Sequence, residues 1–209
     1  MAADIRRKQL IEATITSIAR HGIGGTTMST VTAIGGLSIG LVNFYFKNKD
    51  NLLAETLRTL ADDVRKPWAE IYGQPAVPPH EKLTAIIEAL FSPENCARDR
   101  LAVWFAFFGD EQYRAIYRSI VDAMDTERVD AIAELCREIR KSGGYDDVDP
   151  RALTQSIDAM VDGLWLHLLA YPNWVTAEEA RQRVIDLLAL HFPRHFARSA
   201  RARKSRRRP

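Results

Sequence analysis

The chain has 209 residues, 46% of them hydrophobic, which is enough for a packed core and argues against a chain that is disordered throughout. A formal charge of +2 hides an asymmetry: residues 1–52 carry six Lys/Arg against three Asp/Glu, residues 53–197 sixteen against twenty-four, and residues 198–209 seven against none. A basic front suits a polyanion and an acidic body repels one, so nucleic acid is expected at the front and not along the body.

No apolar run approaches the roughly 18 residues that cross a bilayer, and Arg6, Arg7, Lys8 and Glu12 break up the opening as a signal peptide. A soluble protein with no membrane partner is expected. Cys96 and Cys136 lie far apart without a C-x-x-C pair, so they read as free structural thiols.

Taken in order, Ile11, Ile15 and Ile18 predict a first helix over 5–21, with Gly22 placed to close it in a left-handed conformation. Thr26 or Thr27 can cap a second helix whose Met28 and Val31 face inward. Gly35 and Gly36 permit a sharp turn, and Ser38 caps a short third helix to Phe46. Asn48 or Asp50 can cap a fourth, with Pro67 expected to kink or end it. Gly73-Gln74-Pro75-Ala76-Val77-Pro78-Pro79 reads as a linker. Beyond it, helices are expected at about 80–91, 99–109, 112–142, 150–171 and 177–197. No strand-type alternation of useful length occurs, so the fold class is all-α, with about nine helices.

Residues 26–49 carry the chemistry. A helix-turn-helix lays its second helix in the major groove, so that helix must be short, small-sided at its start and anchored by apolar residues behind. Gly40 allows close approach to a duplex, while Val42 and Phe46 anchor the inner face. Asn43 can pair with adenine and Leu41 can meet a thymine methyl. Tyr45, Lys47 and Lys49 suit phosphate, as does Thr27 at a helix N-terminus. On spacing alone, an ordinary αα-hairpin fits the same residues.

These features resemble the N-terminal domain of the TetR family of bacterial repressors: Arg7, Leu10, the Gly22 loop, Thr27, Gly36-Leu37-Ser38, Gly40, Phe44-Tyr45-Phe46, Lys49 and Leu52. The resemblance implies DNA contact at Thr27, Ser38, Gly40, Leu41, Asn43, Tyr45 and Lys49, and a DNA-binding domain over 1–52. It also implies a ligand-binding and dimerising helical domain over 53–197. Within the family the chain is similar to the BetI branch, the choline-responsive repressors of glycine betaine synthesis. The segments Arg6–Thr14, Val103–Phe108 and Asp162–Leu166 carry that likeness. Thr32 and Gly35, where alanine is usual, depart from it, as do Ala33 and Ile34, where basic residues are common.

The expected function is therefore a ligand-responsive repressor in the bacterial cytoplasm, associated with the nucleoid. Its partners would be a two-fold symmetric double-stranded operator, a second copy of the chain and a small effector. A quaternary ammonium ion is held by ring faces and carboxylates. Trp104, Phe107, Phe108 and Tyr113, with Asp158, Asp162 and Trp165, make the candidate site for choline or another organic cation. The same rings could line a pocket for a hydrophobic or multidrug ligand, or simply be core.

The resemblance implies a four-helix dimer seam from the last two long helices. The residues expected there are Ala152, Leu153, Ile157, Val161 and Leu164 with Val184, Leu187, Leu188 and His191. The basic run 198–209 is expected to be a disordered, solvated tail. A helical enzyme or carrier without operator binding is the alternative of another class. It lacks support: no nucleophile–base pair, phosphate loop or H-E-x-x-H occurs, so no catalytic residue, metal or cofactor is expected.

Overall fold

The computed structural model describes residues 2–196, and among them there are nine helices and no strand. They are α1 (Ala2–Gly25), α2 (Met28–Gly35), α3 (Ile39–Phe46), α4 (Lys49–Tyr72), α5 (Pro79–Leu90), α6 (Arg98–Gly109), α7 (Arg114–Gly143), α8 (Pro150–Ala170) and α9 (Ala177–His191). The expected tail, 198–209, lies outside the described residues.

Two compact units result. One gathers the chain up to Asp63 with Ala97–Met124; the other gathers Val64–Cys96 with the chain from Asp125 onward. The expected 1–52 reader lies inside the first unit. There α1 packs against α2 and α6, burying Leu10, Ile11, Ile15 and Ile18 beside Val31, Leu101 and Phe107. Arg100 of α6 fastens this packing with ion pairs to Glu12 (3.4 Å) and Asp63 (2.7 Å).

In the second unit α9 packs against α5 and α8, around Leu83, Ile86, Ile157, Val184 and Leu188. Tyr145 closes one end: its hydroxyl lies 2.9 Å from His195 Nδ1 and accepts from the Arg194 N–H at 2.9 Å. Both cysteines are free, and burial pushes their thiols up to about 12 for Cys96 and about 11 for Cys136. Neither is poised to ionise near neutral pH.

Three local expectations need correction or refinement. Gly22 has positive φ, but at φ 68° and ψ 174° it lies outside the left-handed helical well, in a region essentially reserved for glycine. Its carbonyl accepts from the Thr26 hydroxyl at 2.8 Å, so the chain re-enters one more helical turn instead of stopping. Pro67 does not end α4, which continues to Tyr72. Proline removes one helical hydrogen bond, and burial of Leu60, Val64 and Trp68 along the same face holds the rest of the helix together. Helix α9 stops at His191, short of the expected 197, because the residue before Pro193 is pushed out of helical conformation: Phe192 has φ −127° and ψ 60°.

Candidate nucleic-acid interface

The helix-turn-helix is built by local caps. Thr27 accepts from the Thr30 N–H at 3.1 Å, and the Thr30 hydroxyl accepts from the Thr27 N–H at 2.8 Å, a reciprocal capping box. Such a cap contributes about 1 kcal/mol. Gly36 adopts the left-handed conformation (φ 63°, ψ 34°) that lets α2 end and turn. Ser38 then caps α3, accepting from the Leu41 N–H at 3.3 Å. The two helices meet at 114°, inside the range of helix-turn-helix units. Val31 and Val42 are fully buried and Phe46 nearly so, which fixes α3 by its inner face.

The outer face of α3 is left open. Ser38, Gly40, Asn43 and Lys47 are exposed, as is Thr27, while Leu41, Tyr45 and Lys49 are half-buried. A methyl group at Gly40 would meet only the Ser38 Oγ, at 3.9 Å. The fold itself therefore does not demand glycine there, and close approach by a duplex is a reason for it. Phe44, absent from the expected contacts, is 76% exposed. Helical spacing could have found it: if Val42 and Phe46 face in, the residue midway between them faces out.

The turn after α3 carries strain. Lys47 has φ 65° and ψ −45°, and the Asn48 N–H donates to the Phe46 carbonyl at 2.7 Å, closing a γ-turn of the rare positive-φ kind. Asn48 then caps α4, accepting from the Asn51 N–H at 2.8 Å. Holding a lysine in this conformation costs on the order of 1–3 kcal/mol.

Lys49 is already engaged. Its ammonium donates to the Ile23 carbonyl at 2.8 Å and lies 5.7 Å from the Tyr113 ring centre. It therefore braces the end of α1, a task its spacing did not reveal. Gln9 does similar service by donating to the Gly35 carbonyl at 2.8 Å. Arg7 pairs with Glu55 and lies over Phe46.

The seven expected effector residues divide between the units. In the first, Phe107 is fully buried, Trp104 and Tyr113 are nearly so, and Phe108 is 63% exposed. Phe107 meets Tyr113 edge-on, while Trp104 and Phe108 each meet Tyr117 edge-on. In the second, Trp165 is anchored by its indole N–H, which donates to the Leu90 carbonyl at 3.0 Å.

Asp158 pairs with Arg128 at 2.8 Å, so its charge is largely spoken for, a partner 30 positions away that the spacing on α8 could not show. Asp162 stands at the surface, yet desolvation of its carboxyl, followed by repulsion from Asp158, pushes it up to about 6, against a smaller lowering by Arg128.

The expected dimer face is corrected. Leu153, Ile157, Val161, Leu164, Val184 and Leu188 are all buried within a single chain, Leu187 is half-buried, and only Ala152 and His191 are exposed. Apolar periodicity reports the stripe that faces the chain's own core first, which is where these residues went.

A helical chain carrying a capped helix-turn-helix with an open outer face defines a DNA-binding regulator. Residues 10–56 match the model described as bacterial regulatory proteins of the tetR family, and residues 79–193 match the model of the C-terminal domain of BetI-type transcriptional repressors. The chain thus belongs to the TetR family of transcriptional regulators, with a BetI-type C-terminal domain. That is a family of regulators and not of enzymes.

Among its relatives, the HTH-type transcriptional regulator BetI of Burkholderia thailandensis is 31% identical over 163 residues, 78% of this chain and 81% of that one. A transcriptional regulator of Pseudomonas aeruginosa PAO1 superposes with a TM-score of 0.72 at 27% identity, over 92% of this chain and 93% of that one. The fold is shared as well with a regulator from Saccharomonospora viridis solved in complex with choline, with a TM-score of 0.70 at 23% identity over 87% and 94% of the two chains.

Proposed function

We propose that this chain is a homodimeric repressor that binds a two-fold symmetric operator on bacterial DNA, and that a small organic cation of the choline class controls that binding. The α2–α3 unit carries the DNA half of this reading: its caps are satisfied from within, so the outward residues are free to meet a duplex. Gly40, Leu41 and Asn43 would meet base edges, while Ser38, Tyr45, Lys47 and the N-terminus of α2 at Thr27 would meet phosphates.

For the dimer, the supporting feature is the outward face of α8. Ser156, Ala159, Gly163 and Leu166 recur at helical spacing and are exposed, as is Leu190 on α9. Gly163 would meet nothing if given a methyl group, so nothing in its own chain asks for glycine in mid-helix. A helix packed close across a two-fold axis would.

For the effector, support comes from the acidic residues of α7 and α8 and from the choline bound by the fold relative. Control requires the effector to favour one of two dimer states, and a swing from 1:99 to 99:1 takes roughly 5.5 kcal/mol of differential affinity.

Gel shifts on the chain's own promoter region test the first part. Binding that needs two half-sites and weakens steeply with salt supports it; equal affinity for any duplex at moderate salt overturns it. Release of that complex by millimolar choline tests the second part, and indifference to choline and related cations overturns it.

A further inference from the structure

Phe44 is 76% exposed, and no other large apolar side chain among the described residues is as open to water. Single apolar groups on a surface are common and need no purpose of their own. What sets this one apart is its place on α3. The buried Val42 and Phe46 fix the inner face of that helix, two positions before it and two after. At about 100° per residue, Phe44 points about 160° away from each of them, along the middle of the open face. Gly40 and Leu41, one turn back, lie within about 60° of that line, whereas Asn43 and Tyr45 lie about 100° to either side. The side chain aimed most squarely at a partner of α3 is therefore an aromatic hydrocarbon, not the amide of Asn43.

The ring is also steadied. Tyr45, half-buried, meets Phe44 edge-on, with ring centres 5.2 Å apart at 81°. An aromatic side chain has few rotamers to lose, so little freedom is given up on contact. A helical side chain leans toward the N-terminus of its helix, the end that meets base edges in a helix-turn-helix.

A benzene ring brings neither charge nor hydrogen-bond donor, which makes phosphate a poor partner for it. Among the base edges in the major groove one group is apolar, the methyl of thymine. We propose that Phe44 reads that methyl, so that each half-site of the operator carries a thymine opposite the middle of α3. Ring and methyl leave water together in the complex, and a base without the methyl leaves part of the ring uncovered. The assignment rests on the operator-binding reading given above and sharpens it, by naming a base selected without a hydrogen bond.

The experiment uses the full-length protein and duplexes carrying the stretch it protects in its own promoter region. Each thymine of a half-site, with its symmetry mate, is replaced in turn by deoxyuridine, which removes the methyl and keeps every hydrogen bond. At one position the wild-type protein should bind the uracil duplex roughly tenfold more weakly, about 1.4 kcal/mol over two methyls. Phe44→Ala should bind the two duplexes within about twofold of each other, while Phe44→Leu, still apolar, keeps part of the preference. Lower salt brings weakly binding variants into range, since the phosphate contribution then rises.

A wild-type protein indifferent to uracil at every thymine overturns the methyl contact and needs no variant. A thymine preference that survives undiminished in Phe44→Ala belongs to another side chain, such as Leu41, and overturns the role of Phe44. If the wild type protects no stretch of DNA at all, the operator reading itself falls, an outcome distinct from indifference to uracil.

Discussion

Between Thr27 and Asn51 each helix end finds its partner within three or four positions: Thr27 with Thr30, Ser38 with Leu41, Asn48 with Asn51. Around Arg128 the partners come from α7 and α8, and two buried donors on α4 and α7 find none at all. The first region is complete in itself and turns a finished surface to the outside. The second is held by charges that only partly answer one another. A reader of DNA must keep its shape with or without the duplex, and caps satisfied from within the segment provide that.

The sharpest way to break this comparison is to remove an anchor of the finished region. Phe46→Ala, which deletes a side chain only 2% exposed, should cost about 3–5 kcal/mol in urea unfolding and abolish operator binding. A change under 1 kcal/mol would mean that α3 is not held by its inner face. In the other region, Arg128→Met leaves Asp158 without its partner and should cost about 2–3 kcal/mol, less than a fully buried pair because Asp158 is a third exposed. Adding Asp158→Asn should return much of that loss, since the removed pair no longer leaves a lone charge.

Lys49 separates bracing from phosphate contact. Lys49→Ala should lower stability by about 1–2 kcal/mol through loss of the Ile23 bond and the Tyr113 contact. The slope of log affinity against log salt should stay unchanged; a slope reduced by about 0.9 would instead place a phosphate on Lys49.

The raised Asp162 gives a smaller, pH-dependent effect. A carboxyl whose folded pKa stands above its unfolded value favours folding fully below the ordinary range near 3.8, and that contribution fades as pH rises through about 6. The wild type should therefore lose stability relative to Asp162→Asn between about pH 4 and 7. A flat difference would show the group to be ordinary. Smallest of all, Lys47→Gly should gain about 1 kcal/mol in thermal unfolding by relieving the γ-turn, while weakening DNA binding.

The same contrast explains what could be read before any coordinates. The helix-turn-helix was legible because its signals, Thr27, Gly36, Ser38 and Asn48, act on residues within a few positions. The helices of the body were legible from their apolar period; of the two outcomes open at Pro67, a kink or an end, the end does not occur, since α4 runs on to Tyr72. The dimer face was misread for a physical reason. Leu153, Ile157 and Val161 show the strongest period because they are core, while the outward Ala159 and Gly163 are too small to register. Arg128 escaped altogether: nothing near it in the chain announces that Asp158 will meet it.

Two glycines separated by one residue carry a last consequence for evolution. Gly22 sits at backbone angles that other amino acids rarely occupy, and its carbonyl steadies Thr26, which in turn shares the Ser17 hydroxyl with Thr30. Gly24 has ordinary angles and open space around it. In a saturation library scored by repression, position 22 should accept almost no replacement and position 24 many. The tolerance of neighbouring codons is thus set less by who surrounds them than by the direction in which the main chain bends.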